Sequence, residues 1–140
     1  VGIEATLVQR DAASAREAAR NGEVDMIVKD WFADYPDAEN FLHPLLHSAS
    51  AGAGGNLSFY ASPAYDSLVT ASRREQDEGR RAALYAEADR VAFADAPMVY
   101  LWHYEDLYAV QPWIHGFEVP TIFTGQDWTD VRIGAVGGQP

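Results

Sequence analysis

The stretch at residues 30–37, DWFADYPD, places three aspartates among three aromatic side chains. Aromatic rings usually pack inward and carboxylates usually face water, so the mixture suits neither an ordinary core nor an ordinary surface. A carboxylate shielded by rings favours an ammonium group, through a charge-assisted hydrogen bond worth about 1.5–3 kcal/mol. A cation over an indole adds about 0.5–2 kcal/mol. Asp34, three residues after Trp31, is therefore a candidate for binding a cationic group. The alternative is a core tryptophan beside a solvated turn.

The same region contains carboxylates that would suit acid–base chemistry. Asp30, Asp34, Asp37 and Glu39 lie close together in the chain, and glycoside hydrolases use two such groups. Their spacing does not separate a catalytic pair from acids that cap helices or form turns. The chain has no GxSxG elbow, phosphate-binding loop or GxGxxG motif. We therefore expect no catalytic residue and no enzyme, and a hydrolase that uses an acidic pair is the alternative.

Two histidines have a spacing that is typical of metal ligands. His43 and His47 are four residues apart, as two ligands on one face of a helix would be. Pro44 lies between them and disrupts that turn, and a zinc site needs three or four converging ligands. We expect surface or pocket-lining histidines, no metal and no cofactor.

The charge balance limits the class of partner. Among 140 residues, 21 acids and 10 bases give a formal net charge of -11, whereas nucleic-acid binding relies on clustered Lys and Arg. No nucleic-acid partner is expected, and an anionic membrane surface is unsuitable for the same reason. Cationic or zwitterionic small partners remain open, as does an acidic protein-interaction domain without a small ligand. The absence of cysteine excludes disulfides and thiol catalysis.

The first third of the chain predicts a β-α-β unit. Residues 1–8 and 24–31 alternate apolar and polar side chains, which indicates half-buried strands. Between them, an alanine-rich helix is marked by the capping-box spacing of Ser14 and Glu17 and by the stop at Asn21 and Gly22. This order favours a parallel pair with a right-handed crossover. The fold class predicted is therefore α/β.

The rest of the chain alternates predicted helices and strands. Asp37 would cap a short helix that Pro44 interrupts. Ser62 as cap and Pro63 at the first helical position begin a second helix. Residues 77–96 predict a third helix, residues 98–110 a strand, and residues 111–120 and 127–134 two short strands.

Several segments in this order resemble a known family. They are WFADYPDAENFL, SPAYDSLV, RRAALYAEADRVAFADAPMVYLW and VQPWIHGF. Together they resemble the C-terminal part of solute-binding proteins of peptide-type ABC importers, the dipeptide, oligopeptide and nickel group (extracellular solute-binding protein family 5). The resemblance runs from Val1 to about Ile133. It implies the C-terminal portion of a periplasmic-binding-protein-like (type II) two-lobed α/β fold.

The resemblance also implies a ligand, a site and a location. The family catches a peptide or other small solute between two lobes outside the cytoplasmic membrane and delivers it to ABC transporter permease subunits. By this resemblance, Asp34 pairs with the α-amino group of a peptide and Trp31 walls a side-chain pocket. The main chain from Asp30 to Phe32 would pair with an extended peptide, as in strand addition. The substrate-binding residues predicted are thus Asp30, Trp31, Phe32 and Asp34.

The resemblance divides the chain into three parts. Residues 1–102 would belong to the C-terminal lobe, residues 103–133 would return to the other lobe, and residues 134–140 would be a flexible tail. The chain opens at Val1 within an alternating pattern, which predicts a piece of a longer protein. Without the other lobe, we expect exposed apolar surface and self-association of the isolated fragment. The side chains concerned are Tyr104, Tyr108, Trp113, Ile114 and Phe117.

Overall fold

Four α-helices supply most of the regular structure in residues 2–120, 122 and 127–135, which are the residues that this computed structural model describes. They are α1 (Ala12–Arg20), α2 (Glu39–Leu46), α3 (Pro63–Ser72) and α4 (Glu78–Asp95). Two short 3-10 helices, Ser48–Ser50 and Gly52–Gly54, follow α2. Two strands, β1 (Ile114–His115) and β2 (Arg132–Ile133), pair antiparallel with Ile114 opposite Ile133. None of the helices in this part of the chain is long and apolar enough to span a membrane.

The two long helices begin within one residue of their predicted starts, and a side chain caps each of them. The Ser62 hydroxyl accepts from the Tyr65 amide at 3.5 Å, and Pro63 is the first residue of α3. The Asp77 carboxylate accepts from the Arg80 amide at 2.8 Å at the start of α4. Both helix predictions are confirmed, because a side-chain cap and the fixed φ of proline act locally.

The first helix begins earlier than predicted. Asp11 caps α1, since its carboxylate accepts from the amides of Ala13 at 3.0 Å and Ser14 at 3.1 Å. Ser14 therefore lies inside the helix and its hydroxyl bonds to the Asp11 carboxylate at 2.6 Å. The predicted capping box of Ser14 and Glu17 is wrong, because Asp11, three residues before Ser14, caps the helix instead. The predicted stop is confirmed, with Asn21 as C-cap and Gly22 at φ 71°.

Helix α2 runs through its proline. Pro44 lies inside α2, which ends only at Leu46, so the predicted interruption is wrong. A proline in the last turn of a short helix removes one internal hydrogen bond but leaves the preceding turns intact. Asp37 does act at the start of this helix, because its carboxylate accepts from the Glu39 amide at 2.9 Å.

The core lies where α2, α3 and α4 meet. Tyr65 and Val69 of α3 are fully buried, and the Tyr65 hydroxyl donates to the Leu42 carbonyl at 2.8 Å. Each fully buried side chain of this size contributes about 1.5–3 kcal/mol. The buried residues of this cluster are Leu42, Leu46, Tyr65, Val69, Ala88 and Ala92.

The predicted long strands do not form in the described residues. Residues 2–8, 24–31 and 98–110 contain no β-strand, and Val1 lies outside the description. Leu7 and Leu107 are 96% and 92% exposed. Strand backbone needs a paired strand for its N–H and C=O groups, and none of these segments is paired as a strand with another described segment. The β-α-β prediction is therefore wrong for this structure, which is mostly helical with one small sheet.

Some of the predictions made from the sequence for residues 103–140 are confirmed. The two short predicted strands are confirmed as β1 and β2. Tyr104 and Tyr108 are exposed as expected, whereas Trp113, Ile114 and Phe117 are half-buried. The Phe117 ring packs against Tyr108 and Trp128, with centroids 5.9 Å apart in each pair. Of the predicted tail at 134–140, residues 136–140 lie outside the description, and the three-part division of the chain stays a prediction.

Candidate functional site

The loop between α1 and α2 is held by one buried amide. Oδ1 of Asn40 accepts from the Trp31 indole Nε1 at 3.2 Å and from the Asp34 backbone amide at 2.9 Å. Nδ2 of Asn40 donates to Oδ2 of Asp34 at 3.4 Å. The indole and the carboxylate that the sequence pairs by spacing are therefore joined through a third residue.

Asn40 is a rigid point of attachment. It lies in the first turn of α2 and is only 4% exposed. The same helix is anchored in the core by Leu42 and Leu46. A buried amide must satisfy its polar atoms within the protein, and this amide does so with Trp31 and Asp34.

A second attachment joins the loop to α4. The Asp37 carboxylate accepts from the Arg81 guanidinium and, at 3.0 Å, from the Tyr85 hydroxyl. Partial burial alone would raise the pKa of Asp37. The bonds from the Glu39 amide and from Tyr85, with the Arg81 charge, outweigh burial and lower this pKa below its ordinary value. Asp37 is thus a structural tie, whereas the sequence considered it as a helix cap and as a member of a possible acidic pair.

An apolar hollow of about 400 Å³ opens beside Trp31. This volume falls within the roughly 300–1,000 Å³ of small-ligand pockets. Asp34 is exposed and does not line the hollow, but its chain neighbours Ala33 and Tyr35 both do. The walls are formed by Trp31, Phe32, Ala33, Tyr35, Pro36, Asp37, Phe41, His103 and Ile122.

The four predicted substrate-binding residues take different places. Trp31 is half-buried, and both Trp31 and Phe32 line the hollow. The Phe32 ring stacks on Tyr104 with centroids 5.6 Å apart. Asp34 is bound to Asn40, whereas Asp30 is exposed and outside the walls. The structure therefore groups three of the four and leaves the side chain of Asp30 apart.

The Trp31 indole already has a cation from its own chain. The Lys29 ammonium lies 4.8 Å from the ring centroid and donates to the Gly55 carbonyl at 2.9 Å. Burial, followed by the charges of Arg20 and Arg16, lowers the pKa of Lys29. A ligand cation at this face of the indole would compete with Lys29, so a ligand ammonium is better served by the carboxylate.

The two histidines, His43 and His47, lie against each other. Their rings stack with centroids 4.6 Å apart. His47 Nε2 is 3.4 Å from the Thr70 hydroxyl, and burial, then the Arg73 charge, lowers the pKa of His43. Within the described ranges, no three His, Cys, Asp or Glu side chains converge as metal ligands.

A nearby serine lacks the geometry of a nucleophile. The Ser48 hydroxyl donates to Asp66 rather than to His47. His47 Nδ1 accepts from the Ala49 amide at 3.1 Å. An activated serine needs a histidine to take its proton, and the orientation of Ser48 does not provide this.

Sequence reasoning missed Asn40, Lys29, Phe41 and His103 at this site. No periodicity singles out Asn40, because polar residues in the first turn of a helix usually face solvent. Its contact with Trp31 depends on the turn between them, and spacing alone does not show that turn.

Comparisons with known proteins support the resemblance seen in the residues. No family model matches the chain. The periplasmic oligopeptide-binding protein OppA of Escherichia coli K12 is 29% identical over 130 residues, which is 93% of this chain and 22% of that protein. The periplasmic murein peptide-binding protein MppA of the same organism is 25% identical over 119 residues, which is 85% of this chain and 21% of the relative.

A third relative is also named as a protein that binds peptides. The dipeptide-binding protein of Pseudomonas aeruginosa PAO1 is 29% identical over 119 residues, which is 85% of this chain and 22% of that protein. The chain spans about a fifth of the length of the curated relatives it matches. The predicted resemblance to peptide-type solute-binding proteins is thus confirmed over most of the chain, and all three relatives are named as binding proteins.

Proposed function

We propose that this chain is a C-terminal part of the peptide-binding receptor of an ABC importer, and that the loop at 30–37 forms one wall of its ligand site. A single observation carries the proposal: one buried amide holds the Asp34 carboxylate beside the indole that lines the hollow. The similarity to proteins named for oligopeptides, dipeptides and murein peptides supports a peptide as the ligand.

In this proposal, each part of the site takes one part of the peptide. The Asp34 carboxylate pairs with the α-amino group, which is worth about 1.5–3 kcal/mol as a charge-assisted hydrogen bond. The apolar hollow beside Trp31 and Phe32 takes a side chain. The peptide pairs with the main chain of residues 30–32 as an added strand. This pairing agrees with the lack of a sheet partner for residues 30–32 among the described residues.

The rest of the receptor follows from the same proposal. The two-lobed α/β fold would be completed by chain outside this sequence, with residues 1–102 in one lobe and 103–133 returning to the other. The receptor would work outside the cytoplasmic membrane and deliver its peptide to ABC permease subunits. The periplasmic location named for two of the relatives supports this placement.

The ligand class is tested with the full-length protein that carries this sequence. Native mass spectrometry of protein purified without added ligand should show bound masses that fit short peptides. A bound sugar, or no peptide binding after incubation with a mixed pool of di- to pentapeptides, would overturn the ligand assignment.

The site is tested by an isosteric change at Asp34. Asp34→Asn should weaken peptide binding about tenfold or more, because an amide does not neutralise an ammonium. Asp89→Asn on the exposed face of α4 removes the same charge away from the hollow and is the matched control. Equal affinities for the two variants would contradict the role of Asp34.

A further inference from the structure

We propose that Asn40 is a positioning residue that couples the Trp31 indole to the Asp34 carboxylate, so that the apolar wall and the charge act as one unit. The ligand consequence of this inference rests on the proposed function, whereas the coupling itself rests on geometry alone. The geometry consists of three hydrogen bonds at one side chain, which accepts two of them and donates the third.

The orientation of the Asn40 amide is determined by its partners. Two donors, the Trp31 Nε1–H and the Asp34 backbone N–H, converge on the same atom. That atom must be the amide oxygen, since an NH₂ group there would face two other donors. The amide nitrogen is then directed at Oδ2 of Asp34. Both functional groups of the amide therefore have assigned roles.

The amide leaves part of the carboxylate available. Oδ2 of Asp34 accepts from Asn40, and no group within residues 2–120, 122 and 127–135 donates to Oδ1. An arriving ammonium can therefore bind Oδ1 while Asn40 holds the other oxygen. The bond from Asn40, 3.4 Å long, orients the side chain before the ligand arrives, which reduces the rotamer freedom lost on binding.

The coupling is rigid because the α2 end of the loop is attached at two points. Asn40 is buried in the first turn of α2, and Asp37 is tied to Arg81 and Tyr85 of α4. Asn40 therefore holds the Trp31 indole and the Asp34 carboxylate in a fixed relative position. Specificity for the free amino group should depend on Asn40, although Asn40 does not line the hollow.

The test compares Asn40→Ala with Asn40→Asp in the full-length protein labelled with ¹⁵N-tryptophan. Trp31→Phe identifies the Trp31 indole N–H signal. In Asn40→Ala this signal should shift and exchange faster with water, because its acceptor is gone. In Asn40→Asp a carboxylate oxygen still accepts from the indole, so the signal should stay protected. Unchanged indole exchange in Asn40→Ala would overturn the coupling.

The second readout is discrimination between a tripeptide and its N-acetylated form. Asn40→Ala should reduce the ratio of the two affinities by about tenfold. Ser72→Ala is the control for general destabilisation, since Ser72 is fully buried and its hydroxyl donates only within α3, to Val69. It should leave the indole signal and the ratio unchanged.

The two readouts separate the inference from the proposed function. If the wild-type protein does not discriminate between the peptides, the proposed function fails, and the indole signals of the Asn40 variants decide the coupling alone. If the wild-type protein discriminates and Asn40→Ala keeps the full ratio, the positioning role is overturned while the proposed function stands.

Discussion

At the scale of single residues, the site depends on side chains that each satisfy several partners. Asn40 joins Trp31 and Asp34, and Asp37 joins the loop to Arg81 and Tyr85. Such shared partners are effective because a buried or half-buried polar group that loses one partner incurs a desolvation cost. The loop at residues 30–37 is therefore held in place by polar contacts rather than by an apolar core of its own.

The tie between Asp37 and Arg81 should make part of the stability depend on pH. The pKa of Asp37 is lowered from its ordinary 3.8. Its contribution is complete above that value and is lost as the pH falls through the lower folded-state pKa. Arg81→Gln should lower the free energy of unfolding at neutral pH, and this difference should be smaller at an acidic pH below 3.8.

Urea unfolding of wild type and variant at both pH values measures this difference. Arg90→Gln is the control, because Arg90 pairs with Glu87 on the exposed surface of α4 alone. A deficit for Arg81→Gln that is the same at both pH values would show that Asp37 is not the partner that matters.

At the scale of elements, the helices and the two short strands could be predicted, whereas the three longer strands could not. The start of α3 follows from Ser62 and Pro63, and α4 follows from the pattern of residues 77–96, since caps, proline and helical periodicity act within a few residues. The segments at 2–8, 24–31 and 98–110 have strand patterns, but a strand forms only beside another strand, and pairing is not local. In the same way, spacing connected Trp31 with Asp34, whereas Asn40 depends on how the intervening turn folds.

Mutations at the two ends of α4 should change the free energy of unfolding in opposite directions. Asp77→Ala removes the cap of the Arg80 amide and should cost about 1 kcal/mol. Ala96 is the C-cap residue at φ 50°, ψ 49°, in the left-handed region. Ala96→Gly should therefore raise the free energy of unfolding by about 0.5–1 kcal/mol. Thermal or urea unfolding measures both, and a loss of stability in Ala96→Gly would contradict the assigned cap geometry.

At the scale of the whole molecule, the described structure leaves much apolar surface in water. The segment at 99–110 has Tyr104 60% exposed and Leu107 92% exposed. Exposed apolar patches and unpaired extended backbone drive association. In the proposed receptor, these segments would be covered by chain outside this sequence.

We expect the 140-residue chain, expressed alone, to self-associate through this segment. Analytical ultracentrifugation should show dimers or larger species at micromolar concentration. The double variant Tyr104→Lys and Leu107→Lys should shift the population toward monomer, because charge on an exposed extended segment opposes pairing. The control, Gln76→Lys with Ala83→Lys, adds the same charge near the start of α4. A monodisperse wild-type monomer would refute this expectation.

The central claim is that the Asp34 carboxylate, held beside Trp31, binds the amino group of a peptide. Calorimetric titration of the full-length wild-type protein with one tripeptide and with its N-acetylated form tests this most directly. We expect the acetylated peptide to bind about tenfold or more weakly at neutral pH, because it has no ammonium to pair with the carboxylate. Equal affinity for the two peptides would contradict the account.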